Sequence, residues 1–341
     1  MCEVDKLRYR RKMDSNTKTL DSFGETIGQD AIRILSVDKC AGMLVEVNNG
    51  VTPDFRIAHA LDMNTKEYTA LAFLRQTDSV LRGTINSSGQ MTAMIDYELS
   101  DSLKACAKSY YADAERAHLS LEASFAATDN LVSSFQFAKR FSPKDNSSVF
   151  GADCVYRASD RWILGAQCMW DRAVGNNTNN WMPASSLALQ YEHPLATGTF
   201  SATSRGMFVA QCARRVCHYN KPEEDNVGLA TSFTFDTKTG KSDVQIGAEF
   251  LLPNSKAKMS TMITGSGKFN VCIRERLADW MMLRLTSEVD HSDHNYVFGI
   301  GMQIGPSAPK EKKRFKPLNV TRWESDPVVT LPMCFRNWEA K

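Results

Sequence analysis

The sequence predicts an all-β fold: nineteen strands closed into a transmembrane barrel, with one amphipathic helix ahead of the first strand. Three observations carry that expectation. Segments of alternating apolar and polar residues recur from Gly42 to Gly305, which is the period of a strand and not of a helix. Most reach the ~9 to 11 residues needed to cross hydrocarbon at a tilt, beyond the soluble mode of ~5 to 6. They follow one another through short turns, and there are too many for an open sheet without closure. Soluble sandwiches alternate as well, so the residues alone leave a soluble two-layer β fold as the competing architecture.

Bulk properties narrow the field. The 341-residue chain carries 41 Lys and Arg against 39 Asp and Glu, a balance that argues against a general polyanion binder, and no nucleic-acid partner is expected. No stretch approaches the eighteen or more uncharged apolar residues of a spanning helix. A mean hydropathy of -0.34 would ordinarily suggest a soluble chain. Barrel strands, being half polar, give no hydropathy peak. The nine cysteines include no C-x-x-C pair, which fits neither zinc nor a disulfide framework. Residues 1–20 hold no apolar core of a secretory signal.

Taken in order, residues 1–21 form a basic arm, with Lys6, Arg8, Arg10, Arg11 and Lys12 around Tyr9, read as a solvated terminus. Ser22-x-x-Glu25 has the form of a capping box. Phe23, Ile27, Ala31, Ile34 and Leu35 then give one apolar stripe about four turns long, so a single helix is expected over 22–38.

From Gly42 the period changes. Strands are expected over 43–49, 54–63, 67–76, 79–86, 91–99, 102–111, 116–126, 129–139, 148–157, 160–171, 185–193, 197–204, 207–216, 227–236, 242–252, 256–264, 268–276, 280–290 and 295–304. Asn48-Asn49-Gly50, Asn64-Thr65, Ser88-Gly89, Lys238-Thr239-Gly240 and Gly265-Ser266-Gly267 supply turn chemistry between them. The two faces differ in kind. Over 116–126, Ala117, Leu119, Leu121, Ala123 and Phe125 oppose Arg116, His118, Ser120, Glu122 and Ser124. Over 242–252, Val244, Ile246, Ala248 and Phe250 oppose Asp243, Gln245, Gly247 and Glu249. In the last strand, Tyr296, Phe298, Ile300, Met302 and Ile304 oppose Asn295, Val297, Gly299, Gly301 and Gln303. One row wants hydrocarbon and the other wants water or a closely approaching backbone. The barrel domain is thus expected over 42–305.

That last strand also carries a resemblance. Gly299, Met302 and Ile304 fit the glycine-x-x-hydrophobic-x-hydrophobic sorting signal that closes mitochondrial outer-membrane barrels, with Val297 standing at the position the family keeps polar. The wider YVFGIGMQIG resembles the closing strand of the pore-forming subunits of the translocase of the outer mitochondrial membrane, within the mitochondrial porin superfamily. GMLVEVNNGVTPDFRIAHAL (Gly42 to Leu61) resembles that family's first hairpin, including His59 on the apolar row. NSSGQMTAMIDYEL (Asn86 to Leu99) resembles its fourth and fifth strands. The resemblance spans about Asp21 to Gly305, and is that of a divergent, archaic member. It implies a nineteen-strand barrel with the N-terminal helix inside the lumen. It also implies a mitochondrial outer-membrane location, precursor proteins as cargo, and receptors and small helical subunits against the outer wall. Pores would pair or triple side by side.

Loops are expected over 140–147, 172–184 and 217–226, and Asn176-Asn177-Thr178 reads as an asparagine-rich turn. Residues 306–341 form a C-terminal extension in which Lys310, Lys312, Lys313, Arg314 and Lys316 precede an apolar end. Signals for chemistry are weak. GSGKFN at 265–270 lacks phosphate-loop spacing, His291, Asp293 and His294 read as a polar turn, and Cys217-His218 has nothing to form an oxyanion hole. No enzyme, metal or cofactor is expected.

What remains is a charged lumen. The inward row is expected to hold Glu46, Asp96, Glu98, Glu122, Asp243, Glu249 and Glu288, opposed by basic residues that include Arg82, Lys104, Lys108, Arg116, Lys258, Arg274 and Arg284. Acidic patches on such a wall would attract a basic amphipathic targeting segment through weak, distributed contacts. Adjacent acidic and basic rows pairing across strands are the structural alternative. A protein-conducting channel is the leading expectation and a voltage-dependent metabolite porin the second; a non-conducting soluble or scaffold β protein is the third. An odd strand number makes the first and last strands parallel. With the helix threaded from the intermembrane space, both termini are expected on that side.

Overall fold

The computed structural model describes residues 20–305, except 53, 101, 113–116, 142–146, 173–180, 194, 217–226 and 253–256. Almost all of the basic arm, the whole C-terminal extension, Arg116, Asn176 to Thr178 and the Cys217-His218 pair therefore lie outside the described residues.

Nineteen strands are present among the described residues. The first nine are β1 (Gly42–Gly50), β2 (Phe55–Asp62), β3 (Glu67–Arg75), β4 (Ser79–Asn86), β5 (Met91–Ser100), β6 (Leu103–Tyr111), β7 (Ala117–Thr128), β8 (Leu131–Phe141) and β9 (Ser148–Arg157). Then come β10 (Trp162–Arg172), β11 (Trp181–His193), β12 (Ala196–Thr203), β13 (Met207–Val216) and β14 (Val227–Asp236). The wall ends with β15 (Lys241–Leu251), β16 (Ala257–Thr264), β17 (Lys268–Ala278), β18 (Met281–Asp290) and β19 (Asn295–Ile304). Each strand pairs with the next, and the sheet closes by a parallel seam between β1 and β19, from Gly42 opposite Gly299 to Val47 opposite Ile304. Closure removes the two free edges that an open sheet would expose. A two-layer sandwich is excluded.

One expected boundary is corrected. β11 begins at Trp181 and not at residue 185, so Trp181 to Ala184, expected in a loop, pair with β10 from Arg172 to Met169. Pro183 is tolerated there because β12 reaches only as far back as Ser186, leaving that part of β11 with a single ladder.

The outward row is apolar and exposed: Phe298 is 66% and Ile300 51% accessible, with Leu187, Phe135 and Ile246 alike. The inward row is where burial occurs. Among the described residues there is no central core of the soluble kind. Two apolar clusters lie instead between the wall and the segment that precedes β1. One joins Leu20 and Ile27 to Val132, Val155, Ile163 and Ala188. The other joins Ala31, Ile34 and Leu35 to Ala213 and Ala230.

The single helix expected over 22–38 is also corrected. Two short helices form, α1 (Phe23–Thr26) and α2 (Gln29–Leu35), separated at Gly28, whose φ of 72° is in the left-handed region that glycine adopts most easily. The capping box does not form, because the Ser22 side chain makes no cap hydrogen bond. The apolar stripe is nonetheless on the expected face, with Ile27, Ala31, Ile34 and Leu35 buried. Splitting the helix lets the segment bend along a concave inner wall that one straight rod would meet only at its two ends.

Both ends of the described chain lie at one rim. Leu20 packs on Val132, the second residue of β8, and Asp21 meets Lys104, the second residue of β6. These even-numbered strands start at the rim where β19 ends at Ile304.

Candidate functional site

The lumen is shaped by the segment Leu20 to Ala41, which lies along the inner wall as a belt. α1 touches β9 and β10, while α2 touches β13 to β16. The wall is hollowed to receive it. A Cβ on Gly165 would come within 2.7 Å of Phe23, one on Gly228 within 3.2 Å of Ile34, and one on Gly247 within 3.0 Å of Leu35.

Polar side chains of the wall complete the belt's backbone. A helix start leaves amide N–H groups without internal partners. Here the Phe23 N–H donates to Asp153 Oδ1 at 3.2 Å, and the Gly28 N–H donates to Gln190 Oε1 at 2.9 Å. Both acceptors are themselves buried and held: Ser134 Oγ donates to Asp153 Oδ2 at 2.6 Å, and Thr199 Oγ1 to Gln190 Oε1 at 3.2 Å. The barrel thus caps helices that their own sequence does not cap.

Ion pairs continue the attachment. Asp21 meets Lys104 at 3.3 Å, and Asp30 meets Arg215 at 3.7 Å while accepting a hydrogen bond from Thr197 at 2.9 Å. Asp38, almost fully buried, pairs with Arg274 and lies 3.7 Å from Arg284. Lys39 reaches Glu288 at 3.1 Å. The last step of the belt passes over the closing strand, where Thr286 Oγ1 donates to the Cys40 carbonyl at 2.8 Å. Gly299 is required there. A Cβ on it would come 2.1 Å from the Cys40 oxygen.

The belt divides the expected lumenal acids into two groups. Asp96, Glu98 and Glu122 stand on β5 and β7, away from the strands β9, β10 and β13 to β16 on which the two helices chiefly pack. Asp96 lies 3.8 Å from Arg82, and Glu122 lies 4.0 Å from Lys108 and accepts from Gln136 at 3.4 Å. Glu98 is opposite Lys104 in the ladder. Near the belt, Glu249 pairs with Lys258 at 2.5 Å and Glu288 with Lys39, while Glu46 stands beside Arg284 in a small pocket over the seam. Asp243 lies toward the opposite rim and accepts from Gln245 at 3.1 Å. All seven face inward, but they do not form one continuous acidic track. Asp96, Glu98, Glu122 and Glu249 each have a basic residue on the neighbouring strand, whereas Glu288 is met by the belt's own Lys39.

Of the sorting-signal residues, Gly299 faces the lumen beneath Cys40, and Met302 and Ile304 stand on the outward row. The HSDHN stretch is a polar turn, in which Asp290 Oδ1 accepts from the Ser292 and Asp293 N–H groups at 3.0 and 3.3 Å. Among the described residues no group of three His, Cys, Asp or Glu is placed to hold a metal ion. Sequence reasoning missed the belt acids Asp30 and Asp38 and the wall acceptors Asp153 and Gln190. Asp153 had a signal, being the one acid on the inward row of β9 between Gly151 and Val155.

Comparison with known proteins follows from this architecture. A curated relative, "Probable mitochondrial import receptor subunit TOM40-2" of Arabidopsis thaliana, is 20% identical over 321 residues, covering 88% of this chain and 96% of its own. Solved structures that resemble it distantly include a mutant porin of Rh. blastica, with a TM-score of 0.42 at 6% identity, covering 64% of this chain and 89% of the other. Another is OccAB4 of Acinetobacter baumannii, with a TM-score of 0.36 at 9% identity, covering 72% and 81%. The family model "Eukaryotic porin" matches residues 23–301, from the start of α1 to within four residues of the end of β19, and this chain belongs to the eukaryotic porin family.

Proposed function

We propose that the protein is a protein-conducting channel of the mitochondrial outer membrane, through which precursor proteins are imported. The observation that carries this reading is the lumen with its two helices packed on β9, β10 and β13 to β16, while Asp96 and Glu122 stand on other strands with basic neighbours at 3.8 and 4.0 Å and Glu98 is opposite Lys104 in the ladder. Ion pairs that loose and that exposed are weak. They can exchange one at a time with the positive charges of a basic, amphipathic targeting segment, which lets it enter and leave. The distant likeness to a protein named as an import receptor subunit supports the same reading.

Glu46, Asp243, Glu249 and Glu288 complete the proposed path, with Glu249 and Glu288 in secondary roles because Lys258 and Lys39 already occupy them. Gly299, Met302 and Ile304 serve as the sorting signal. Both termini leave toward the intermembrane space, consistent with their common rim. Import receptors and small helical subunits sit against the apolar outer wall, beside membrane lipids and further copies of the pore.

The test is planar-bilayer recording of the refolded full chain with a presequence peptide on one side. Peptide-dependent blockade, reduced at least about tenfold in apparent affinity by the triple change Asp96→Asn, Glu98→Gln, Glu122→Gln, supports import. Steady nucleotide-selective conductance with no response to peptide would establish the metabolite porin instead.

A further inference from the structure

Between α2 and the wall, on the side toward the rim that bears both chain ends, a cavity of about 140 Å³ remains. It is lined by Arg33 of α2, Arg215 of β13, Gly228 of β14, Glu249 and Leu251 of β15 and Lys258 of β16. Ladder register sets its plan. Arg215 is opposite Gly228, and Gly228 is opposite Glu249, so the glycine forms a floor between two long side chains. Lys258 is opposite Leu251, two residues beyond Glu249. Arg33 stands on the belt itself, next to the Ile34 that packs on the same glycine.

The charges are unequal. Three cations line the space with one carboxylate, and that carboxylate is already matched, with Lys258 Nζ 2.5 Å from Glu249 Oε1. Arg215 is shared loosely with Asp30 at 3.7 Å and keeps 38% of its side chain accessible. Arg33 is exposed and meets no acid among the described residues. Two guanidinium groups thus border one space that carries a surplus of positive charge, and the planar fork of arginine suits the oxygens of a phosphate.

Size limits the ligand. A cavity of ~150 Å³ takes one benzene, so this one takes a group of about six heavy atoms. A phosphate head fits and a whole nucleotide does not. We propose that the cavity is a binding site for a phosphate group, held between Arg33 of the belt and Arg215 of the wall, and that its occupation fastens α2 to β13. Lys258 contributes by neutralising Glu249, which would otherwise repel the anion. The proposal goes beyond the import reading and holds whatever crosses the lumen.

The test is amide hydrogen exchange of the refolded full chain in neutral detergent, with inorganic phosphate or glycerol phosphate added against sodium chloride at matched ionic strength. A ligand that binds only the docked belt slows its opening by a factor of 1 + [L]/Kd, so residues 29–35 exchange about tenfold more slowly at roughly ten times the dissociation constant. Whichever of the two acts at the lower concentration tells a free ion from an ester as the source. Arg33→Gln removes the slowing. Should that change loosen the belt by itself, Arg33→Lys keeps the charge without the fork and still weakens the response several-fold. Lys238→Gln, in the turn between β14 and β15 at the other rim, leaves the response intact. The proposal is overturned if phosphate does no more than chloride in the wild type, if the Arg33 variants respond as the wild type does, or if Lys238→Gln loses the response equally.

Discussion

Replacing Ile34 by alanine tests whether the belt is a separable element held by its apolar face. Ile34 is 2% accessible and sits over Gly228 and Gly247 on the inner wall. Three carbons are lost on truncation, worth ~0.8 kcal/mol each, or about 2.4 kcal/mol. The floor beneath is the backbone of Gly228, which has no side chain to move into the void, and with partial collapse of the neighbouring Met262 the cost is ~2 to 4 kcal/mol. At a factor of ten per ~1.4 kcal/mol, docking of α2 weakens roughly 30- to 700-fold. Amide hydrogen exchange reads this directly: residues 29–35 exchange faster by that factor, while 227–251 in β14 and β15 keep wild-type protection. Unchanged protection over 29–35 would refute the reasoning. So would a parallel loss in both regions, since the belt and the wall would then open as one unit.

Other consequences are sharp enough to measure. Gly299→Ala forces the Cys40 backbone off the closing strand. Cys40, whose thiol is held above its ordinary range by burial, then reacts with maleimide roughly tenfold faster, at a pH midpoint shifted down toward that of a free thiol; an unchanged rate contradicts the close approach. Asp38→Asn leaves Arg274 and Arg284 without their shared carboxylate and costs ~3 to 5 kcal/mol in denaturant unfolding, far more than Lys39→Gln at the exposed pair with Glu288, which changes stability by less than ~1 kcal/mol. Gln190→Ala removes the acceptor of the Gly28 N–H in a buried place and weakens belt docking by ~1 to 3 kcal/mol, read by exchange of the Gly28 amide. Protease added to intact mitochondria leaves both termini uncut, and cleavage of either end disproves the shared orientation.

The strands were legible because strand period is a local property and the turns between them carry glycine, asparagine and serine where the backbone must reverse. β11 shows the limit. Pro183 after an asparagine-rich stretch reads as loop, and only the shorter reach of β12 explains why a proline is harmless there. The belt shows another. Ile27, Ala31, Ile34 and Leu35 announced the buried face, but the break at Gly28 is stabilised by Gln190, which lies 162 residues away in sequence. Similarly, inward facing could be read for Asp96, Glu122 and Glu249, since it follows from alternation. Their ion-pair partners could not, because Arg82, Lys108 and Lys258 are fixed by register between strands. Which part of the wall the belt leaves bare is a tertiary fact, and the inward row of any one strand is silent about it.

The parallel seam has a consequence for the order of events in biogenesis. It unites the earliest strand with the latest, so the cylinder cannot be sealed while any part of β19 is still being made. Until then both margins of a growing sheet stand open and prone to pairing with other chains, and the entropic cost of bringing them together falls on the final step. The stretch from Asp38 to Cys40 is fastened to β17, β18 and β19 beside that seam. Completion of the wall and arrest of the belt are therefore one late event, and an assembly helper would have to guard the unfinished margins until then.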